Sequence, residues 1–169
     1  MEKALQSFYY QFHTEQHYFL CHDILEDAWK ENPNFTKQDA VVSLILLATG
    51  CYHYRRNNFK GAVTSFNRAL IVIRNSSDWH TLGLEIHEYI ALLRELKSLA
   101  SLGQPFSPVN LPLSEHVLKE IKTTYPNFNF NKNMITNSYI VNHHLERDRS
   151  EVDNAREKAL LARQFKRER

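Results

Sequence analysis

The stretch Val41–Cys51, VVSLILLATGC, leaves a folding chain few options. Val41, Val42, Leu44, Ile45, Leu46, Leu47 and Ala48 fall on every side of a 3.6-residue turn. A helix here is apolar nearly all round, and such a helix belongs in the middle of a bundle. The run is only about half the ~20 residues that a membrane-spanning helix needs, so other helices must cover it. With 4 glycines and 5 prolines in 169 residues, turns are few and long helices are favoured over short strands. The buried helix is expected over Lys37–Arg56, with Thr36 and Asp39 spaced like a capping box.

The flanking segments read as its partners. Ala4, Leu5, Phe8, Tyr9 and Phe12 recur at intervals of three and four, which predicts an amphipathic opening helix. Thr14 offers an N-cap for a second helix, Glu15 to Glu31, and Asn32-Pro33 ends it. Asn57-Asn58 can take the left-handed conformation that stops the third helix. A fourth helix follows over Phe59–Ile73, and Ser76 or Ser77 caps a fifth that carries Leu84 to Leu96. Gly50, Ala62, Phe66 and Ala69 stand where a tetratricopeptide helix pair places small and aromatic contact residues. From Gly103 to Leu113 three of the five prolines suggest an extended surface crossing. A short helix, Glu115–Thr123, an irregular asparagine-rich stretch, Tyr125–Asn133, and a charged terminal helix complete the chain. The organisation expected is a bundle over 1–102, with 103–169 packed on it or extending from it.

Composition is that of an ordinary globular chain, 43% hydrophobic and 24% charged, with a formal charge of +2. No global field calls for a polyanionic partner. Cys21 and Cys51 lie in apolar helical runs and read as buried free thiols. The opening MEKALQSFYYQF lacks a basic region followed by an apolar one. A cytoplasmic location, with no membrane partner, is the expectation.

The polar centre of the sequence is HYFLCHDILEDAWK, His17 to Lys30. With Tyr18 at zero on a wheel of 100° per residue, Leu25 and Trp29 fall within about 20° and His22 at about 40°. Glu26 is at about 80°, the margin of the same stripe, while Asp23 and Asp27 look outward. His22 and Glu26 are four residues apart, within side-chain reach. His53 of the third helix could meet them. Three readings stay open. The cluster is a satisfied polar network in the core; or it ligates a divalent metal between helices; or His22 is a general base tuned by Glu26. Trp29 reads as a core anchor and His17 as a surface histidine on the first turn.

YFLCHDILEDAWK, followed after a break by CYHYRRNNFKGAV, resembles the domain-of-unknown-function 309 family over roughly residues 12–73. The matching positions are Tyr18, Phe19, His22, Leu25, Glu26, Trp29, His53, Asn58, Gly61 and Ala62. Leu20, Asp23 and Asn57 depart from the family pattern, which often has an acid, a glutamate and a glycine there. The resemblance implies an all-helical bundle and no particular reaction. The missing acid at Leu20 removes one possible ligand or base.

Basic residues concentrate locally. Ala40 to Ser77 contains no acid, and Arg55, Arg56 and Lys60 cluster after the third helix beside Tyr54 and Phe59, where they could hold phosphates or single-stranded bases. The terminal segment from His143 has eight Lys and Arg against six Asp and Glu, the mixed pattern of a solvated helix. His143-His144 could form a local site. Together these features predict an all-α bundle acting as a non-catalytic binding or scaffold module, with another protein as the expected partner and nucleic acid ranked below it. The alternative is a metal-dependent or acid–base enzyme using His22, Glu26 and His53.

Overall fold

The computed structural model describes residues 1–146, and among these it is all-helical. The α-helices are α1 (Glu2–Tyr10), α2 (Tyr18–Lys30), α3 (Ala40–Arg55), α4 (Phe59–Asn75), α5 (Ile86–Ser101), α6 (Glu115–Thr124) and α7 (Ser138–Glu146). A π-helical turn, Gln11–Glu15, follows α1, and a 3₁₀ turn, Trp79–Leu82, precedes α5. The only β feature among the described residues is an isolated antiparallel bridge between Leu84 and Leu113. From residue 147 on, the charged segment expected to be helical lies outside the described residues.

As its apolar circumference demands, α3 is the centre. It packs on α2 and α4, and α4 packs on α5. Leu44, Leu47, Ala48 and Cys51 are fully buried, and a leucine so placed contributes roughly 1.5–3 kcal/mol. Where α3 meets α4, an added Cβ on Gly50 would lie 2.4 Å from the Phe66 ring. The glycine therefore lets an aromatic face reach the helix backbone. Ser43, also fully buried, donates to the Ala69 carbonyl at 3.0 Å, so the Tyr89 hydroxyl, 2.9 Å away, must donate to Ser43. One hydroxyl pair thus links α3, α4 and α5.

Three helix starts differ from the sequence expectation, the third helix's because a distant group intervenes. The third helix begins at Ala40 rather than Lys37. Thr36 and Asp39 do bond, Thr36 donating its N–H (3.0 Å) and hydroxyl (2.6 Å) to the carboxylate, but they close a turn ahead of the helix. The Ala40 N–H goes instead to the Asp78 carboxylate at 3.0 Å. The second helix is capped by His17, not Thr14: the His17 ring nitrogen Nδ1 accepts the Leu20 N–H at 3.1 Å. His17 is buried rather than a surface residue. The fifth helix starts at Ile86, after Glu85, and Ser76 instead closes α4 by donating to Ile73 at 3.1 Å. Between them, Tyr9 pins the Leu82 carbonyl at 2.6 Å.

The proline-rich crossing and the asparagine-rich stretch lie on the bundle. Phe106, Leu111, Ile121 and Phe128 are buried in the same core as the first five helices. The Glu85 N–H donates to Pro112 at 2.8 Å and the Ser114 N–H to Gly83 at 2.9 Å. The asparagine-rich stretch has no regular structure, yet the π-turn holds it. Thr14 exchanges hydrogen bonds with the Asn129 backbone at 3.0 and 3.1 Å. Gln16, fully buried with φ of 50°, donates to the Asn131 and Asn133 carbonyls, both at 2.9 Å, and accepts the Ile135 N–H at 3.0 Å. Its side-chain amide does the work of a missing strand neighbour.

Candidate functional site

Burial along α3 has one gap. From Ala40 to Tyr54 every residue is buried except Val42, Leu46, Thr49 and His53. Their spacing is four, three, four, so they lie on one face of the helix. Val42, Leu46 and Thr49 of that face, with Ile45, floor a groove of ≈ 670 Å³ with walls from α2 (His22, Glu26, Trp29) and α4 (Arg68, Ile71, Val72). Ile71 is 54% exposed there, an isoleucine left facing solvent on the groove wall. At its His53 end the groove meets a smaller cavity of ≈ 170 Å³ lined by Tyr18, Phe19 and Tyr52, with His22, His53 and His144. His22 and Thr49 line both.

Local chemistry sets the protonation of these histidines. Asn58 caps α4, its Oδ1 accepting the Gly61 N–H at 3.0 Å. Its Nδ2 must then be the donor to His53 Nδ1, 3.1 Å away, so neutral His53 carries its proton on Nε2. Burial lowers the His53 pKa and the Arg56 cation lowers it further, which keeps the ring neutral near pH 7. Gly61 is required beside it: a Cβ there would sit 2.9 Å from the His53 ring. Asn57, at φ 59°, supplies the left-handed turn expected of it, and Ala62 is fully buried. The Asn58–Gly61–Ala62 motif is therefore a device for seating His53 at the mouth of the cavity.

His22 and Glu26 do not form the expected pair. His22 Nδ1 lies 3.0 Å from Asp23 Oδ1, which leaves Nε2 of a neutral ring as an acceptor. Glu26 instead bonds Lys30 at 3.1 Å, one turn on. The wheel set His22 and Glu26 inward and Asp23 outward, yet His22 and Asp23 are equally exposed at 29% and Glu26 is 34% exposed, with Asp23 within reach of His22 and Lys30 within reach of Glu26. So His22 and His53 line one cavity, while His22, Glu26 and Trp29 line the groove. Among the described residues no three His, Cys, Asp or Glu side chains group closely enough to hold a metal ion. Trp29 is half-buried, and its indole N–H donates to the Thr36 carbonyl (3.1 Å) and Asp39 (2.9 Å). It closes the loop between α2 and α3 rather than anchoring the deep core.

The basic cluster is largely committed to the fold. Arg55 donates to the Gln16 carbonyl at 2.7 Å and the Ile140 carbonyl at 2.9 Å, with its guanidinium 4.8 Å over the Tyr18 ring. Arg56 donates to Asn142 at 3.2 Å and lies 5.2 Å over the Tyr52 ring. These arginines hold α7 against α2 and α3. His144, bonded to the Tyr52 hydroxyl, completes the cavity wall, and His143 packs edge-on to His17 with ring centres 4.9 Å apart. Of the three candidate phosphate contacts, only Lys60 is exposed. The sequence did not mark out Thr49, Tyr52 or Leu46 as site residues. In a helix apolar on all sides, nothing local tells which face the neighbours leave uncovered.

The uncharacterized protein YpuF of Bacillus subtilis (strain 168) is similar along essentially the whole length, with 27% identity over 171 aligned positions covering 98% of each chain. No solved structure matches the chain. The expected resemblance began at residue 12 and ran to 73; the match itself takes in most of α1 and ends within α4. Over residues 5–65 the chain matches the family described as a domain of unknown function, DUF309.

Proposed function

We propose that the protein is a non-catalytic binding module of the cytoplasm that receives a segment of another protein in the groove over α3. One observation carries this reading. The central helix of the bundle, buried on every other side, leaves the stripe Val42–Leu46–Thr49 only partly covered among the described residues, with Ile71 exposed on the wall beside it. Apolar surface left on a buried element marks an interaction site. The polar groups around it are arranged to hold structure: His53 by Asn58, His22 by Asp23 and Glu26 by Lys30. They frame the groove and orient what enters it.

A photo-crosslinking residue at position 46, introduced in cells of the source organism, tests the reading. A discrete crosslink to another protein from position 46, absent from position 99 on the exposed side of α5, is the expected result. Equal labelling from both positions, or none from 46, would overturn it.

A further inference from the structure

We infer that the groove over α3 takes an amphipathic helix of about two turns whose apolar stripe is flanked by acidic residues. This rests on the proposed binding role and specifies the partner's chemistry. The groove's length, pattern and charge together select such a helix. Val42 to Thr49 spans seven helical steps, about 10 Å at 1.5 Å per residue, so the floor matches two turns of a second helix laid along it. The half-buried positions Val42, Leu46 and Thr49 repeat at four and three, which is the seam that a packed helix presents to its neighbour. A helix lying there places its own i, i+3/i+4, i+7 side chains between the walls of α2 and α4. At the His53 end, the ≈ 170 Å³ aromatic cavity is of a size to take one terminal apolar side chain.

Charge selects among occupants. The groove is bordered by Lys37, in the turn ahead of α3, and Arg68 of α4, both exposed. Its one carboxylate, Glu26, is bonded to Lys30. No acid occurs between Ala40 and Ser77, so the α3 floor and the α4 wall carry positive charge alone. A second copy of this chain packed on the same face would set cations against cations, a juxtaposition that interfaces avoid. A helix with Asp or Glu beside its apolar stripe neutralises both cations. Because both are solvent-exposed, the attraction must weaken with salt over a Debye length of about 8 Å at physiological ionic strength.

The full chain can be panned against a displayed library of helical peptides. Expected binders have large apolar residues at helical spacing with an excess of Asp and Glu at the flanking positions. They lose at least tenfold in affinity with Leu46→Asp and with Ile71→Asp, the latter at an exposed site that leaves the core intact. The charge-reversed variant Lys37→Glu/Arg68→Glu should also bind them at least tenfold more weakly and turn the library preference toward Lys and Arg. Peptides that depend on Leu46 and Ile71 but show no acidic excess, and are indifferent to charge reversal, would overturn this inference while leaving the groove as a protein-binding site. Library binding untouched by both apolar variants, or no binding, would overturn both. Sedimentation showing a dimer that Leu46→Asp dissociates would replace the acidic helix with a second copy.

Discussion

At the residue scale the chain's polar side chains are mostly structural fasteners, and His13 is the clearest. It is 2% exposed, donates from Nδ1 to the Tyr9 carbonyl at 2.8 Å and accepts the Leu111 N–H on Nε2 at 3.0 Å. That acceptor role requires the neutral ring. Burial lowers its pKa to about 4, against a partial opposing effect of the Tyr9 carbonyl. The unfolded chain, with an ordinary histidine near 6.5, therefore binds the proton more readily. Stability is fully present above about pH 6.5 and is lost as pH falls towards 4, by about 3 kcal/mol for this one group. His17 and His53, also lowered by burial, act in the same direction. Denaturant titrations from pH 7 to 4 should show this loss, and His13→Gln should flatten it while lowering stability at pH 7. Arg55 gives a second contrast. Arg55→Lys cannot reach both carbonyls with one ammonium and should cost about 1–3 kcal/mol, whereas Lys60→Ala, at an exposed site, should stay within about 0.5 kcal/mol. Cys21 and Cys51, both fully buried with burial raising their pKa values, should be inert to thiol reagents until the protein unfolds.

At the element scale, close approach of α3 and α4 is the feature on which both core and groove depend. The sequence pattern around Gly50, Ala62, Phe66 and Ala69 was readable as tight antiparallel packing because small residues opposite large ones have a local signature. The structure supplies the reason for two of them: Phe66 occupies the space a Gly50 side chain would need. Gly50→Ala should destabilise by about 1–3 kcal/mol, the usual penalty of overpacking. Combined with Phe66→Leu, it should cost less than the two changes separately, as a double-mutant cycle in thermal unfolding would reveal. The helix starts were less legible. Thr14 and Thr36 are chemically good caps, but capping depends on which group reaches the free N–H. Asp78, 38 residues beyond Ala40, reaches it first. No local pattern encodes such a partner.

At the scale of the whole molecule, among the described residues, side chains stand in for backbone where the asparagine-rich stretch meets the bundle. The π-turn at Gln11–Glu15 and the left-handed Gln16 break what would otherwise be one long helix, and the freed groups hold residues 127–135. Gln16→Ala removes three hydrogen bonds to that stretch. Amide exchange from Asn131 to Ile135 should then accelerate well beyond any change in α3, and a uniform change in both would show that the stretch unfolds only with the core. The same long-range fastening sets the groove. Arg55 and Arg56 draw α7 over the His53 end of α3 and leave the Val42 end only partly covered.

What the sequence determined by itself follows from periodicity, which is local and additive. An all-α chain, a central helix at Val41–Cys51, two buried thiols, and an amphipathic helix bearing His22, Glu26 and Trp29 all rest on spacings of three and four residues. Tertiary structure alone decided the partners of the polar groups. His22 turned to Asp23, Glu26 to Lys30, Arg55 inward to Gln16 and Ile140, and Asp78 to the start of α3. A buried hydrogen-bonding group takes whichever partner the packed backbones bring within about 3 Å, and that choice is made between segments far apart in the chain. The partly covered stripe of α3 belongs to the same class: its residues were visible from the start, but its exposure depends on where every other helix came to rest.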